Sequence, residues 1–310
     1  MDITLSQAIA GFLRSKAAAG KSPYTLRNYR TSFAKLQTYL AADLAITAID
    51  RAQLTGFLAW LQEQPSAPAG IAPRAPVKLS AKTILNVHTD LSSLWRWAAE
   101  EGFVTTNIVR SIEPPHPQAP AVDTFTQADS EALLAACAGK DALASRNYLI
   151  VLLLLDTGLR AQELCDIRID DIDMTANKIR VTGKGEKERF VYFGKRTAKA
   201  LWRCITPRLR DAERRLFTVG PAGDPRPLNR LVLRMTLLRI GARAGVAHVY
   251  PHRFRHTFAI TYLRNGGDLF TLQELLGHAD LEMVRRYARV AQADCAKAHA
   301  KASPVDNWKL

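Results

Sequence analysis

Between Pro251 and Tyr287 the chain reads PHRFRHTFAITYLRNGGDLFTLQELLGHADLEMVRRY, and few folds can accommodate that stretch. His252 and Arg255 are three residues apart, which on a helix places them on one face. Phe254, Phe258 and Leu263 then turn toward apolar packing. Asn265-Gly266-Gly267 breaks the helix. A second short helix carries Leu272, Leu275 and Leu276 and stops at Gly277, just before His278. A third begins near Asp280 and carries Tyr287. Two histidines, an arginine and a tyrosine therefore sit on rigid elements that must fold back on one another. Cationic clamps, an imidazole that moves protons and a phenol that can attack form an inventory for handling phosphate.

The rest of the chain must carry that inventory. Its 310 residues allow two domains, and 47% hydrophobic content supplies packed cores. The net charge is +14, and Lys and Arg outnumber Asp and Glu both before and after the proline-rich middle. A polyanion, DNA or RNA ahead of a membrane surface, is the expected partner. The four cysteines make no C-x-x-C pair, which indicates free thiols and neither zinc nor a disulfide framework. The N-terminus lacks a signal-peptide layout, and the longest apolar run, Tyr148 to Leu155, is too short to span a bilayer. A cytoplasmic protein with no membrane partner is expected.

Residues 1–113 read as helical. Leu5, Ile9, Phe12 and Leu13 follow a helical period. Ser22-Pro23 starts the next helix, with Leu26, Tyr29, Phe33, Leu36 and Leu40 on one stripe and Arg27, Arg30 and Lys35 opposite. A third helix spans Arg51 to Glu63. A Pro/Ala-rich loop follows from Gln64 to Pro76, and Ser80 caps a fourth helix. Residues 114–125 form a proline-rich linker. Residues 126–290 form a second domain that opens on a Thr126 cap. It continues through a buried helix ending at Thr157-Gly158, and a further helix starts at Leu159-Arg160. Lys178–Thr182 and Glu188–Phe193 alternate as two strands around a Gly183–Lys187 turn. Residues 291–310 are a C-terminal helix or tail with Trp308 as its apolar anchor.

Taken together, T-G-L-R-A-Q-E-L around Arg160, the hairpin V-T-G-K-G-E-K-E-R, P-H-R-F-R-H-T-F-A, L-L-G-H and R-R-Y resemble the tyrosine recombinases, the phage-integrase and Xer-like family. S-P-Y-T-L-R-N-Y-R looks, more weakly, like that family's core-binding domain. Phe254 stands where the family commonly has a smaller aliphatic residue. The resemblance implies a mainly α fold with a small antiparallel β-sheet: a helical core-binding domain and a mixed α/β catalytic domain closing on DNA as a C-shaped clamp. It implies site-specific recombination through a 3′-phosphotyrosyl intermediate, without ATP, cofactor or metal. Tyr287 is the implied nucleophile, with Arg160 and Arg255 on the phosphate oxygens. Lys184 is the implied general acid, His252 an acid/base and His278 a hydrogen-bond donor. Glu163 is expected to pair with an arginine or cap backbone groups. His256 and Tyr262 are expected to pack or hydrogen-bond behind the site.

Candidate DNA contacts are Arg27, Arg30, Lys82, Lys187, Arg189 and Arg253. The implied partners are duplex DNA and further copies of the chain, two per site and four in a synapse, together with accessory proteins. The tail from Ala291 to Leu310 is the candidate for docking on a neighbouring copy. Two other functions use the same features: a type IB topoisomerase-like nicking–closing enzyme, and a DNA-binding protein without catalysis.

Overall fold

The computed structural model describes residues 2–66, 78–118, 122–139, 141–183, 187–209, 213–221, 224–277 and 281–291, with isolated positions beyond. The chain divides into two compact units, residues 1–120 and 121–310.

The first unit is built from α1 (Leu5–Ala18), α2 (Pro23–Leu40), α3 (Arg51–Glu63) and α4 (Ala81–Glu100). Each starts where a side chain takes over an orphan backbone N–H. Thr4, Ser22, Asp50 and Ser80 accept from the amides of Gln7, Thr25, Gln53 and Thr83. The apolar stripes meet in a core containing Phe12, Phe33, Phe57 and Trp95, each at most 1% exposed. Phe12 meets the ring of Tyr29 edge-on at 5.0 Å. After α3 the chain departs and returns at a bridge between Pro65 and Lys78. The Pro/Ala-rich stretch between them lies mostly outside the described residues.

The second unit begins before Thr126. Phe125 packs on Phe254 with ring centroids 4.7 Å apart, and Val122 joins an apolar cluster around Ile260 and Leu272. The end of the proline-rich segment thus belongs to this unit's core. The unit contains α5 (Gln127–Ala135), α6 (Ala142–Thr157), α7 (Ala161–Asp166), α8 (Lys195–Ile205), α9 (Arg230–Ala244), α10 (Pro251–Arg264), α11 (Leu269–Leu276) and α12 (Leu281–Ala291). Leu149 through Leu154 on α6 are all buried, as their uninterrupted apolar run requires.

Beside these helices lies an antiparallel sheet of β1 (Ile172–Asp173), β2 (Lys178–Thr182) and β3 (Glu188–Tyr192) in that order. Ile179 faces Val191 and Val181 faces Arg189, so Arg189 shares the inward face with Val191. The two-residue β1 and a second pair, β4 (Thr218–Val219) with β5 (Arg226–Pro227), add to the hairpin expected from sequence. Two residues are too few to show an alternation.

Arg253, a candidate DNA contact from sequence, has its guanidinium engaged within this unit. Its guanidinium donates to the carbonyls of Ala247 and Thr124, pairs with Asp123 at 3.0 Å and lies 4.2 Å from the Phe125 ring centroid. It clasps the entry segment to α10. Thr257 completes the clasp by accepting from the Phe125 amide at 2.9 Å.

Candidate active site

The site starts at the end of α6. Gly158 caps that helix in the left-handed region at φ 60°, and a Cβ there would come within 2.5 Å of Phe258. Glycine therefore lets the chain turn at once into α7, with Arg160 at the helix entrance. One helical turn later, Glu163 reaches back. Its Oε2 accepts from the Arg160 amide at 2.8 Å, and its Oε1 accepts from Arg160 Nη1 at 2.8 Å. From β3, Arg189 donates Nη1 and Nη2 to the same carboxylate at 2.7 and 2.9 Å. The Glu163 side chain is 3% exposed. Burial alone would raise its pKa, but the hydrogen bonds and charge of Arg189, with Arg160, outweigh burial and bring it down to about 2.

The end of α11 supplies the other wall. The last carbonyls of a helix lack intrahelical donors and carry the negative end of its dipole. Here they receive arginines: Leu275 O accepts from Arg189 Nε at 2.9 Å, Leu276 O from Arg255 Nη2 at 2.6 Å, and Gly277 O from Arg160 Nη2 at 2.9 Å. Arg255 also donates Nη1 to Gly158 O at 2.8 Å, joining the ends of α6 and α11. Arg255 is 1% exposed, and burial first, then the Arg160 charge, pull its pKa down to about 10. It stays charged at neutral pH. Three guanidiniums thus gather around one carboxylate and two helix ends, which leaves the site in positive surplus. That surplus suits an anion.

One turn before Arg255 stands His252. Its ring keeps an edge in solvent, yet partial desolvation and then the charges of Arg255 and Arg160 push its pKa below the usual value. The His252 and His256 rings meet edge-to-face at 5.1 Å. Beyond them, His256 Nδ1 lies 2.9 Å from the hydroxyl oxygen of Tyr287. Tyr287 comes in from α12 and is 1% exposed, in a cluster with Ile260, Leu272, Val284 and Ala291. Burial raises its pKa, while Arg255, Arg286 and Arg160 act in the opposite sense. Burial first, then His252, Arg286 and Arg255, press His256 down to about 4, so its imidazole is neutral at physiological pH.

Of the six residues singled out from sequence, Arg160 at the start of α7, His252 and Arg255 on α10 and Tyr287 on α12 are brought to this one region. Lys184 and His278 lie outside the described residues, as does Trp308. The residues preceding the first two are at the cluster: Gly183 faces the Glu163–Arg189 pair, and Gly277 carries the carbonyl that holds Arg160. Arg27, Arg30, Lys82 and Lys187 are exposed. Arg189 is not. Its side chain, a candidate DNA contact from sequence, is 13% exposed and committed to Glu163 and Leu275. The alternation of β3 was the signal: Arg189 falls in step with inward Val191, and an inward arginine calls for a carboxylate. Among the described residues, no group of His, Cys, Asp and Glu could hold a metal ion.

Comparison with known proteins gives this site a context. Residues 123–294 match the phage integrase family, and residues 4–113 match the phage integrase SAM-like domain. The tyrosine recombinase XerC of Mycobacterium sp. (strain JLS) is 34% identical over 92% of this chain and 94% of its own length. That of Staphylococcus saprophyticus is 29% identical over 91% and 92%. Among solved structures, the Tn1549 transposon integrase in complex with transposon right end DNA covers 97% of this chain and 99% of its own, with a TM-score of 0.77 at 20% identity. The XerH site-specific recombinase bound to palindromic difH substrate covers 94% of this chain and 82% of its own, with a TM-score of 0.71 at 22% identity. These structures share the mainly helical fold with its small antiparallel sheet.

Proposed function

Because the chain belongs to the phage integrase family and is a tyrosine recombinase, an enzyme that cuts and rejoins DNA strands in site-specific recombination, we propose that its arginine cluster holds the scissile phosphodiester and that Tyr287 attacks it. The observation that carries this reading is the positive surplus of Arg160, Arg189 and Arg255 around Glu163, with a buried phenol on the neighbouring helix.

In the transition state, negative charge grows on the non-bridging oxygens of the phosphate. Arg160, about a third exposed, offers its guanidinium from the open side, and Arg255 adds charge from within. Each such donor contributes on the order of 3 kcal/mol to lowering the barrier. Their contacts to helix-end carbonyls fix both planar groups before DNA arrives, so little reorganisation is left to the reaction. The phenol oxygen bonds to phosphorus, and the bond to the 5′ oxygen breaks. This leaves a 3′-phosphotyrosyl linkage and a free 5′-hydroxyl. Lys184 is the proton donor to the leaving oxygen, His278 a hydrogen-bond donor to the phosphate, and His252, whose pKa burial and then the neighbouring arginines hold below the usual value, an acid/base at the phosphate. Attack by the 5′-hydroxyl of a second strand reverses the step, so the bond energy is conserved without ATP.

The substrate in this reading is duplex DNA, engaged by two copies per site and four in the synapse, with accessory proteins as further partners. The net charge of +14 and the DNA-bound state of the solved relatives support it. Arg27, Arg30, Lys82 and Lys187 are the proposed backbone contacts. The deciding experiment incubates the full chain with a randomised duplex library containing nicks and isolates covalent protein–DNA complexes. Wild type accumulates them. Tyr287→Phe, which removes one oxygen from a packed ring, forms none yet still binds DNA; adducts formed by that variant would refute the assignment.

A further inference from the structure

Tyr287 has one described hydrogen-bonding partner for the atom that reacts, and that partner is neither His252 nor an arginine. His256 Nδ1 lies 2.9 Å from the phenolic oxygen, with the ring centroids 5.5 Å apart. His256 follows Arg255 directly on α10, so the backbone that fixes the most buried guanidinium of the cluster also fixes this imidazole. On its other side, the edge-to-face contact with His252 limits its rotation. The phenol is equally constrained, by Val284 and Ala291 on its own helix and by the α10 and α11 residues packed against them.

We propose that His256 acts directly on the nucleophile: Nδ1 accepts the hydrogen bond of the Tyr287 hydroxyl, holds the phenol at the arginine cluster, and takes its proton as the bond to phosphorus forms. The proposal rests on Tyr287 being the nucleophile. In the step, the O–H bond of Tyr287 breaks and its proton moves to Nδ1 of His256. The phenolic oxygen bonds to phosphorus, and the 5′ oxygen departs with a proton from the acid on the opposite side. Rejoining runs the same transfers backward, which returns the imidazole to its neutral form. This role also requires one tautomer. An Nδ1 that accepts leaves the ring proton on Nε2. The low basicity imposed by burial, and then by the surrounding positive groups, is no obstacle. As the phenolic oxygen gives up electron density to phosphorus its proton becomes acidic, and an acceptor already in contact suffices.

A 5′-bridging sulfur at the scissile phosphate separates this role from that of the leaving-group acid. A thiolate leaves without a proton, so a defect on the leaving-group side disappears on the sulfur substrate and a defect at the nucleophile persists. Duplexes chosen by covalent capture with the wild-type chain are synthesised with oxygen or sulfur at that position. His256→Ala should form the covalent complex roughly 100-fold more slowly on both, the scale of one lost proton acceptor, while its DNA affinity stays within about twofold of wild type. His256→Asn, whose Oδ1 stands where Nδ1 does, should recover part of the rate and should match wild type in thermal melting at neutral pH, which excludes a folding defect. In the DNA-free chain, nitrogen-15 spectra of histidine should show the His256 Nδ1 signal moving in Tyr287→Phe. A wild-type rate for His256→Ala, full recovery on sulfur, or an unmoved Nδ1 signal would each overturn the proposal. Failure of the underlying reading looks different: Tyr287→Phe would then form adducts whatever stands at position 256.

Discussion

Glu163 shows how a single side chain organises the site. Its carboxylate is buried and shared by Arg160 and Arg189, so removing it leaves two guanidiniums facing each other without compensation. Glu163→Ala should lower the stability of the second unit by about 3–5 kcal/mol, the scale for breaking a buried ion pair, measured by urea unfolding. Arg189→Ala should cost less, because Arg160 still pairs with the carboxylate. It should nevertheless slow DNA cleavage, although Arg189 lies inside the protein.

The pH dependence has the same sign for Glu163 and His256, since both have depressed folded-state pKa values. Glu163 contributes fully above about 4.5 and loses its contribution as pH falls toward about 2. His256 contributes fully above 6.5 and loses it as pH falls toward about 4. Stability should therefore decline as acid is added below pH 6.5, and His256→Asn should flatten the upper part of that decline in a melting series. The inward place of Arg189 was legible in the β3 alternation. The His256–Tyr287 contact was not, because it joins residues 31 positions apart on separate helices.

Among the elements, the paired ends of α6 and α11 position the arginines. Both end on glycine in the left-handed region, Gly158 and Gly277, and both glycine carbonyls hold a guanidinium. These ends were readable from sequence, as were the caps at Ser22, Ser80 and Thr126, because capping chemistry is local. The short strands β1, β4 and β5 were not, because non-local pairing alone creates them. Gly158→Ala should therefore destabilise the fold through both backbone strain and the clash with Phe258. Gly266, at φ 88° with no atom within 4 Å of an added Cβ, provides the strain-only comparison. Gly266→Ala should cost roughly 1–3 kcal/mol. Gly158→Ala should cost more and should also slow cleavage by shifting the carbonyl under Arg255. Equal losses in calorimetry would mean that the Phe258 contact relaxes freely.

For the whole molecule, two units with separate cores and a net charge of +14 make salt the simplest probe. Each phosphate contact releases counterions, so a grip of several contacts should weaken by roughly a thousandfold between 50 and 200 mM salt. Replacing Arg27 or Lys82 should shallow that slope by about one phosphate's worth and leave cleavage of bound DNA unchanged. The catalytic claim is tested most directly by identifying the residue that becomes bonded to DNA. Wild-type covalent complex, digested with nuclease and trypsin, is sequenced by mass spectrometry. The expected product is a nucleotide joined through its 3′ phosphate to Tyr287, in the short peptide between Arg286 and Arg289. An adduct on Tyr250, Tyr262 or any other side chain would contradict it.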